Sequence, residues 1–186
     1  MKVLFVDTET TGLDSKLNDV IQVAFIIEID GKVKEKANFI MQPFRYDTIT
    51  KEALEVNGLT IKKLITFPKP QETYNQIVTL FDKYINKYDK QDKFSPAGHN
   101  VTFDRNMLNQ FFLKNGNKYF GSYVDYHLID TSSLLYLLRY AGKLELESYK
   151  LETASKHFKI PLQAHNAMSD IEATRELIQK LLRYLK

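Results

Sequence analysis

The sequence predicts an α/β fold: one mixed sheet with helices packed on it. Three observations predict it. Two strand-like runs separated by Asp30-Gly31 fill much of the N-terminal third. From residue 73 onward, apolar positions recur at helical spacing. Short extended runs at 94–99 and 127–130 interrupt those helices. Strands first, then strands mixed with helices, is the order of a mixed sheet covered by helices.

Residues 2–6 form a short apolar run, predicted as a buried strand. Residues 20–29 are almost continuously apolar and rich in Val and Ile, which suits a central strand. Asp30-Gly31 is a two-residue hairpin signal. Residues 32–41 then alternate. Val33, Ala37, Phe39 and Met41 point one way, with Glu35 as the misfit, and Lys32, Lys34, Lys36 and Asn38 point the other. The stretch 67–72, with Pro68 and Pro70, reads as a connector inside one domain.

Residues 73–88 place Ile77, Leu80, Phe81, Tyr84 and Ile85 on one helical face. Residues 94–99 are extended and closed by Gly98. Residues 101–115 return to helix, with Phe103, Met107, Leu108, Phe111 and Phe112 facing inward. Thr131 is placed as the cap of a helix reaching Ala141, with Gly142 just past its end. Residues 150–158 form a short helix. The last helix is predicted from about Asp170 to Leu185, with Ile171, Thr174, Leu177, Ile178, Leu181, Leu182 and Leu185 inward. Its terminal Lys180, Arg183 and Lys186 suit the helix dipole.

A chain of 186 residues suits one domain, expected to span 1–186. With 44% hydrophobic and 26% charged residues, it is neither disordered nor collagenous. The absence of cysteine excludes disulfides, thiolate zinc sites and cysteine nucleophiles. No apolar run is long enough to span a membrane, and residues 2–6 are too short for a signal peptide. A cytoplasmic location with no membrane partner is therefore expected. The net charge of +3 is compatible with a nucleic-acid partner but argues weakly for one. Lys62, Lys63, Lys69, Lys83, Lys87, Lys90, Lys93, Lys114 and Lys118 read first as a solvated basic surface.

Three stretches concentrate chemistry. In Asp7-Thr8-Glu9-Thr10-Thr11-Gly12, Asp7 and Glu9 are two apart, so an extended chain presents both carboxylates on one side. At ~4 Å such a pair repels by about 4 kcal/mol at an effective dielectric near 20. A shared proton, basic partners or a hard cation would offset this. The same residues also read as a polar turn. In Gly98-His99-Asn100-Val101-Thr102-Phe103-Asp104, a strand end runs into a helix. There Asn100 could be a cap and Asp104 a dipole partner. In His165-Asn166-Ala167-Met168-Ser169-Asp170, five helical residues rotate by about 500°, so His165 is placed on the preceding loop and Asp170 at the helix start. Ser169 and Glu172 fit a capping box.

Taken together, four carboxylates and one histidine occupy three strand-end or helix-start positions that can converge on one sheet edge. This ordered set resembles the DEDDh branch of the DnaQ-like 3′–5′ exonucleases, from about Lys2 to the C-terminus. Asn57-Gly58-Leu59-Thr60, Asp130-Thr131 and the stretch 151–158 followed by Ile160 are similar to the family's intervening segments.

The resemblance implies an RNase H-like fold, a five-stranded mixed sheet flanked by helices. It implies hydrolysis of phosphodiester bonds at the 3′ end of DNA or RNA, releasing nucleoside 5′-monophosphates. By similarity, Asp7, Glu9, Asp104 and Asp170 would hold two Mg2+ or Mn2+ ions, with Asp7 bridging, and His165 would be the general base. Backbone near Thr10 and Thr11 would meet the terminal 3′-hydroxyl, and Leu13 would wedge against the last base. Phe103 would pack a sugar or base, and His99 and Asn100 would lie near phosphates. For Phe103 a core role, and for His99 a structural hydrogen bond, are the competing readings. The implied partner is a single-stranded 3′ end. A DNA polymerase subunit is a candidate partner, expected to grip the domain itself because this sequence ends at Lys186, right after the last predicted helix. The oligomeric state is left open.

Two rival readings compete with this one. A phosphoaspartyl phosphatase would want Asp-x-Asp-x-Thr where this chain has Asp7-Thr8-Glu9-Thr10, and neither Gly121 nor Gly142 precedes its paired acids. A non-catalytic nucleic-acid module of the same fold is disfavoured by the intact acids and His165.

Overall fold

Alternation along the first strand divides the molecule into two layers. The computed structural model describes residues 1–163 and 166–185; His165 lies outside the described residues. The sheet has the order β3-β2-β1-β4-β5, with β1 (Lys2–Thr10), β2 (Val20–Ile29), β3 (Lys32–Ile40), β4 (Ser95–Gly98) and β5 (Ile129–Asp130). The helices are α1 (Lys51–Val56), α2 (Ile61–Leu64), α3 (Pro70–Asp82), α4 (Val101–Lys114), α5 (Thr131–Tyr140), α6 (Leu151–Phe158) and α7 (Ala167–Leu181).

Leu4 and Val6 of β1 pack with Val23, Phe25 and Ile27 against the apolar sides of α3 and α4. Val3 and Phe5 face the other way, onto Ala24, Ile26 and Ala167 and Ile171 of α7. Each of the Val, Leu, Ile and Phe side chains among these contributes roughly 1.5–3 kcal/mol when fully buried. Phe81 anchors the first layer, with the rings of Phe25 and Phe94 each 5.4 Å from its own. The strands β1 and β2, and β2 and β3, pair antiparallel, whereas β4 and β5 run parallel to β1. The carboxyl ends of β1, β4 and β5 therefore meet at one edge, the usual ligand-binding edge of an open α/β sheet.

The predicted β2 and the hairpin are found as expected. Asp30 and Gly31 both have positive φ, +51° and +76°, as this two-residue turn requires. Glu35, the misfit, is accommodated by Lys83 Nζ at 2.6 Å and the Tyr84 hydroxyl at 2.7 Å. These donors hold its carboxyl below the usual range.

Several boundaries differ from expectation. β1 does not stop at Val6 but continues to Thr10, because β2 goes on pairing with it through Glu9 and Thr10. The ladder is made by backbone groups, so polar side chains do not end it. β3 stops at Ile40 and leaves Met41 buried beyond it. α3 ends at Asp82 rather than 88, since the Asp92 carboxylate captures the Asn86 N–H. The short helices α1 and α2, capped by Thr50 and Thr60, were not predicted.

α5 is capped by Asp130, which accepts from Ser132 N, and Thr131 is its first helical residue. α7 begins at Ala167 and is capped by Asn166, not by a Ser169–Glu172 box. Ser169 Oγ instead accepts from Gln163 N, and Glu172 pairs with Lys36. α7 ends at Leu181, which leaves Leu182 exposed rather than inward. Of the lysines read as solvated surface, Lys83, Lys87 and Lys114 are tethers to Glu35, Asp82 and Asp19. No described helix is long and apolar enough to cross a membrane.

Candidate active site

The pleat of β1 carries Asp7 to the side of Val3 and Phe5, toward α7, and turns Thr8 toward α4. Asp104, in the first turn of α4, is drawn onto β1 by that threonine. Its Oδ1 accepts from Thr8 N at 2.9 Å and from Thr8 Oγ1 at 2.7 Å. Such close approach of α4 to β1 depends on Gly98. A Cβ there would meet Val101 Cβ at 2.8 Å and the Val6 carbonyl at 3.1 Å. Asp170 sits in the first turn of α7, its N–H donating to the Asn166 carbonyl.

These placements make one electrostatic cluster. Burial pushes the Asp7 carboxyl well up, and Asp104, Asp170 and Glu9 push it further in the same direction. Burial also pushes Asp104 up to about 7, with the Thr8 hydrogen bonds opposing and Glu9 adding to the rise. Acids from three separate stretches of chain therefore share one field at the sheet's carboxyl edge. Near neutral pH that field favours a retained proton or a bound cation. The donors are carboxylate oxygens, which fit a hard divalent cation. Among the described residues, no three His, Asp or Glu side chains are grouped closely enough to hold a metal ion as they stand.

The predicted substrate-contact residues divide. Leu13 stands 86% exposed at the mouth of a groove of about 540 Å³. The groove is also lined by Glu9, Thr10, Asn57 and Phe103. Phe103 is half-buried, so it belongs at once to the edge of the core and to the groove wall. Thr10 Oγ1 donates to the Gly12 carbonyl, and Thr11 is fully buried, its N–H donating to the Asp19 carbonyl.

Asn100 does not cap α4 with its side chain. It adopts a left-handed conformation with φ +62°, and its N–H donates to Asp130 Oδ1 at 2.9 Å. His99 Nδ1 lies 2.8 Å from Thr131 Oγ1, which in turn donates to the Gly98 carbonyl. Burial lowers its pKa, with Asp130 opposing. His99 is thus tied into a structural hydrogen-bond network.

Sequence reasoning missed several residues. Thr8 holds Asp104, and its signal was only its place between two acids. Asn57 Nδ2 donates to the Thr10 carbonyl at 3.0 Å and walls the groove. Asp19 and Lys114, paired at 2.7 Å, clamp the loop that carries Leu13. Their separation in sequence left no local signal.

The fold and the acids at its carboxyl edge define a class, an RNase H-like α/β protein with carboxylates gathered at the ligand-binding edge of its sheet. A family model described as Exonuclease (RNase_T) matches residues 4–178. The chain belongs to this family, the DnaQ-like exonucleases, for which metal dependence is typical. It is 30% identical over 177 residues to the DNA polymerase III PolC-type of Lacticaseibacillus paracasei, covering 94% of this chain and 11% of that one. It is 27% identical over 194 residues to ribonuclease T of Actinobacillus pleuropneumoniae, covering 98% and 84%. The chain thus spans about a tenth of the length of the PolC-type relatives. Its fold is similar to that of a zinc-bound E. coli exonuclease I–single-stranded DNA complex, with a TM-score of 0.77 and 23% identity over 99% of this chain and 42% of that one.

Proposed function

We propose that residues 1–186 act as one metal-dependent 3′–5′ exonuclease domain, releasing nucleoside 5′-monophosphates from single-stranded 3′ ends. The carrying observation is the convergence of Glu9, Asp104 and Asp170 on the buried Asp7, whose carboxyl is pushed upward first by burial and then by those three acids. A structural polar turn would not assemble that field. Asp7, Glu9, Asp104 and Asp170 would hold two Mg2+ or Mn2+ ions. When bound, such ions neutralise charge on the phosphodiester and act as Lewis acids.

The remaining work falls to the chain itself. His165 accepts the proton of the attacking water, as an imidazole of ordinary pKa ~6.5 can do near neutrality. Leu13 packs on the terminal base and Phe103 on a sugar or base, with Thr10 and Thr11 backbone framing the 3′-hydroxyl. His99 and Asn100 line the phosphate side. These contacts read no base edge, which suits sequence-independent trimming. The relatives named above include both a DNA polymerase and a ribonuclease, so DNA, RNA and a polymerase partner all fall within this reading.

The test is a digestion of matched DNA and RNA single strands, with free and blocked 3′ ends, with and without magnesium. Magnesium-dependent release of nucleoside monophosphates from free 3′ ends is expected. Release of inorganic phosphate alone would indicate a phosphatase, and release of neither would indicate a binding module. His165→Ala is expected to slow cleavage by roughly 10²–10⁴. Manganese affinity by calorimetry should remain close to wild type. An unchanged rate would remove His165 from the chemistry.

A further inference from the structure

Helix α5 carries apolar side chains on two sides. Leu135 and Leu138 are buried in the core, yet Tyr136, Leu137 and Tyr140 are 60%, 55% and 89% exposed. A surface helix normally keeps one side polar, so this second apolar stripe calls for an occupant.

Its position relative to the acids indicates which one. The tyrosines line a shallow furrow of about 630 Å³ with Ser132, Ser133 and Tyr149. Ser133 and Leu137 also line the adjoining depression of about 420 Å³, which reaches Asp130 and Thr102. Thr102 precedes Phe103 in the chain, and Phe103 walls the groove at the carboxylates. The depression that adjoins the furrow therefore reaches the first turn of α4, which also carries Phe103.

The chemistry of the furrow is that of a stacking platform. The rings of Tyr136 and Tyr149 meet edge to face at 5.6 Å and 77°. The Arg139 guanidinium lies 5.7 and 5.5 Å from their centroids, with Glu145 3.6 Å from its Nε. Aromatic rings with an arginine beside them stack bases of any sequence. From Ser132 to Tyr140 the helix rises about 12 Å. That is enough for a few stacked nucleotides at about 3.4 Å each.

We infer that the Tyr136–Tyr140 face of α5 is an upstream track for single-stranded nucleic acid, stacking the bases that precede the 3′ end held at the carboxylates. This rests on the exonuclease reading above. Because the track holds bases rather than phosphates, the affinity it adds should depend little on salt.

The test measures binding of fluorescein-labelled oligothymidylates of three to eight nucleotides by anisotropy. EDTA is present throughout, to prevent cutting. The probes are compared on the full chain and on its Tyr136→Ala/Tyr140→Ala variant, with both melting temperatures recorded. Wild-type affinity should rise with length and level off, and the variant should lose roughly 10-fold or more of that gain. An equal length gain in the two proteins overturns the track, as does a wild-type affinity independent of length. A change in sedimentation between wild type and variant, with the length gain intact, would assign the face to a protein contact instead. If the wild type releases nucleoside monophosphates in magnesium yet gains nothing with length, the track falls and the site reading stands. No release from any substrate removes both.

Discussion

Asp104→Asn is expected to abolish magnesium-dependent cleavage and, in metal-free buffer at pH 8, to raise the melting temperature by roughly 5–10 °C. Both effects follow from one carboxylate. In the fold Asp104 has its pKa pushed up to about 7, from an ordinary 3.8. A raised acid favours the folded state fully below its unfolded pKa and loses that advantage as pH rises through its folded pKa. The metal-free domain should therefore lose stability between about pH 4 and pH 7. At about 1.4 kcal/mol per unit, the ionised Asp104 costs up to roughly 4 kcal/mol, a figure shared among the acids of the cluster. Asparagine keeps an Oδ1 to accept from Thr8 N and Thr8 Oγ1 but carries no charge. The gain over wild type should shrink toward zero near pH 4. Magnesium should raise the wild-type melting temperature at pH 8 and leave the variant almost unmoved. A variant no more stable than wild type at pH 8 would mean the cluster stores no such repulsion.

The same acids explain what could be read from the chain alone. Asp7 and Glu9 were legible because a strand has a period of two, and the spacing alone puts them on one side. Asp104 and Asp170 were legible as helix-start acids, and only order along the chain joined them to the first pair. What spacing could not show is how they are held. Thr8 looks like turn filler until its hydroxyl is seen on Asp104. Asn100 has the composition of a cap, yet its left-handed backbone gives its N–H to Asp130 and leaves its side chain out of the capping role. Helix ends were misjudged for a related reason. The residues that stop α3 and start α7, Asp92 and Asn166, act through single hydrogen bonds that leave no periodic trace. Long-range pairs were invisible altogether, since Asp19 and Lys114 meet only after β2, β3 and α4 are in place.

That last pair supports the second large effect. Lys114→Met is expected to cost about 3–5 kcal/mol, the usual penalty for stranding a buried charge. At this chain length, that lowers the melting temperature by roughly 10 °C. The Asp19 side chain is 1% exposed. One of its oxygens takes Lys114 Nζ at 2.7 Å, and the other takes Arg45 N at 3.0 Å. Lys114 Nζ also donates to the Asn18 carbonyl, and Asp19 N donates to Thr11 Oγ1. Without the lysine, the carboxylate keeps one backbone donor and no counter-charge. Asp19→Asn/Lys114→Met should recover at least half of the loss, because it removes the stranded charge along with its partner. The consequence for function follows from what the pair clamps. It closes the loop from Thr11 to Asn18, which carries Leu13, onto the far end of the helix whose near end carries Asp104. Loosening it should therefore raise KM for a single-stranded substrate several-fold while kcat changes less. Thermal melting of the single and double variants decides the matter. A single variant that melts within a degree of wild type would show that the pair is ornamental, and that the Leu13 loop is held by its backbone bonds alone.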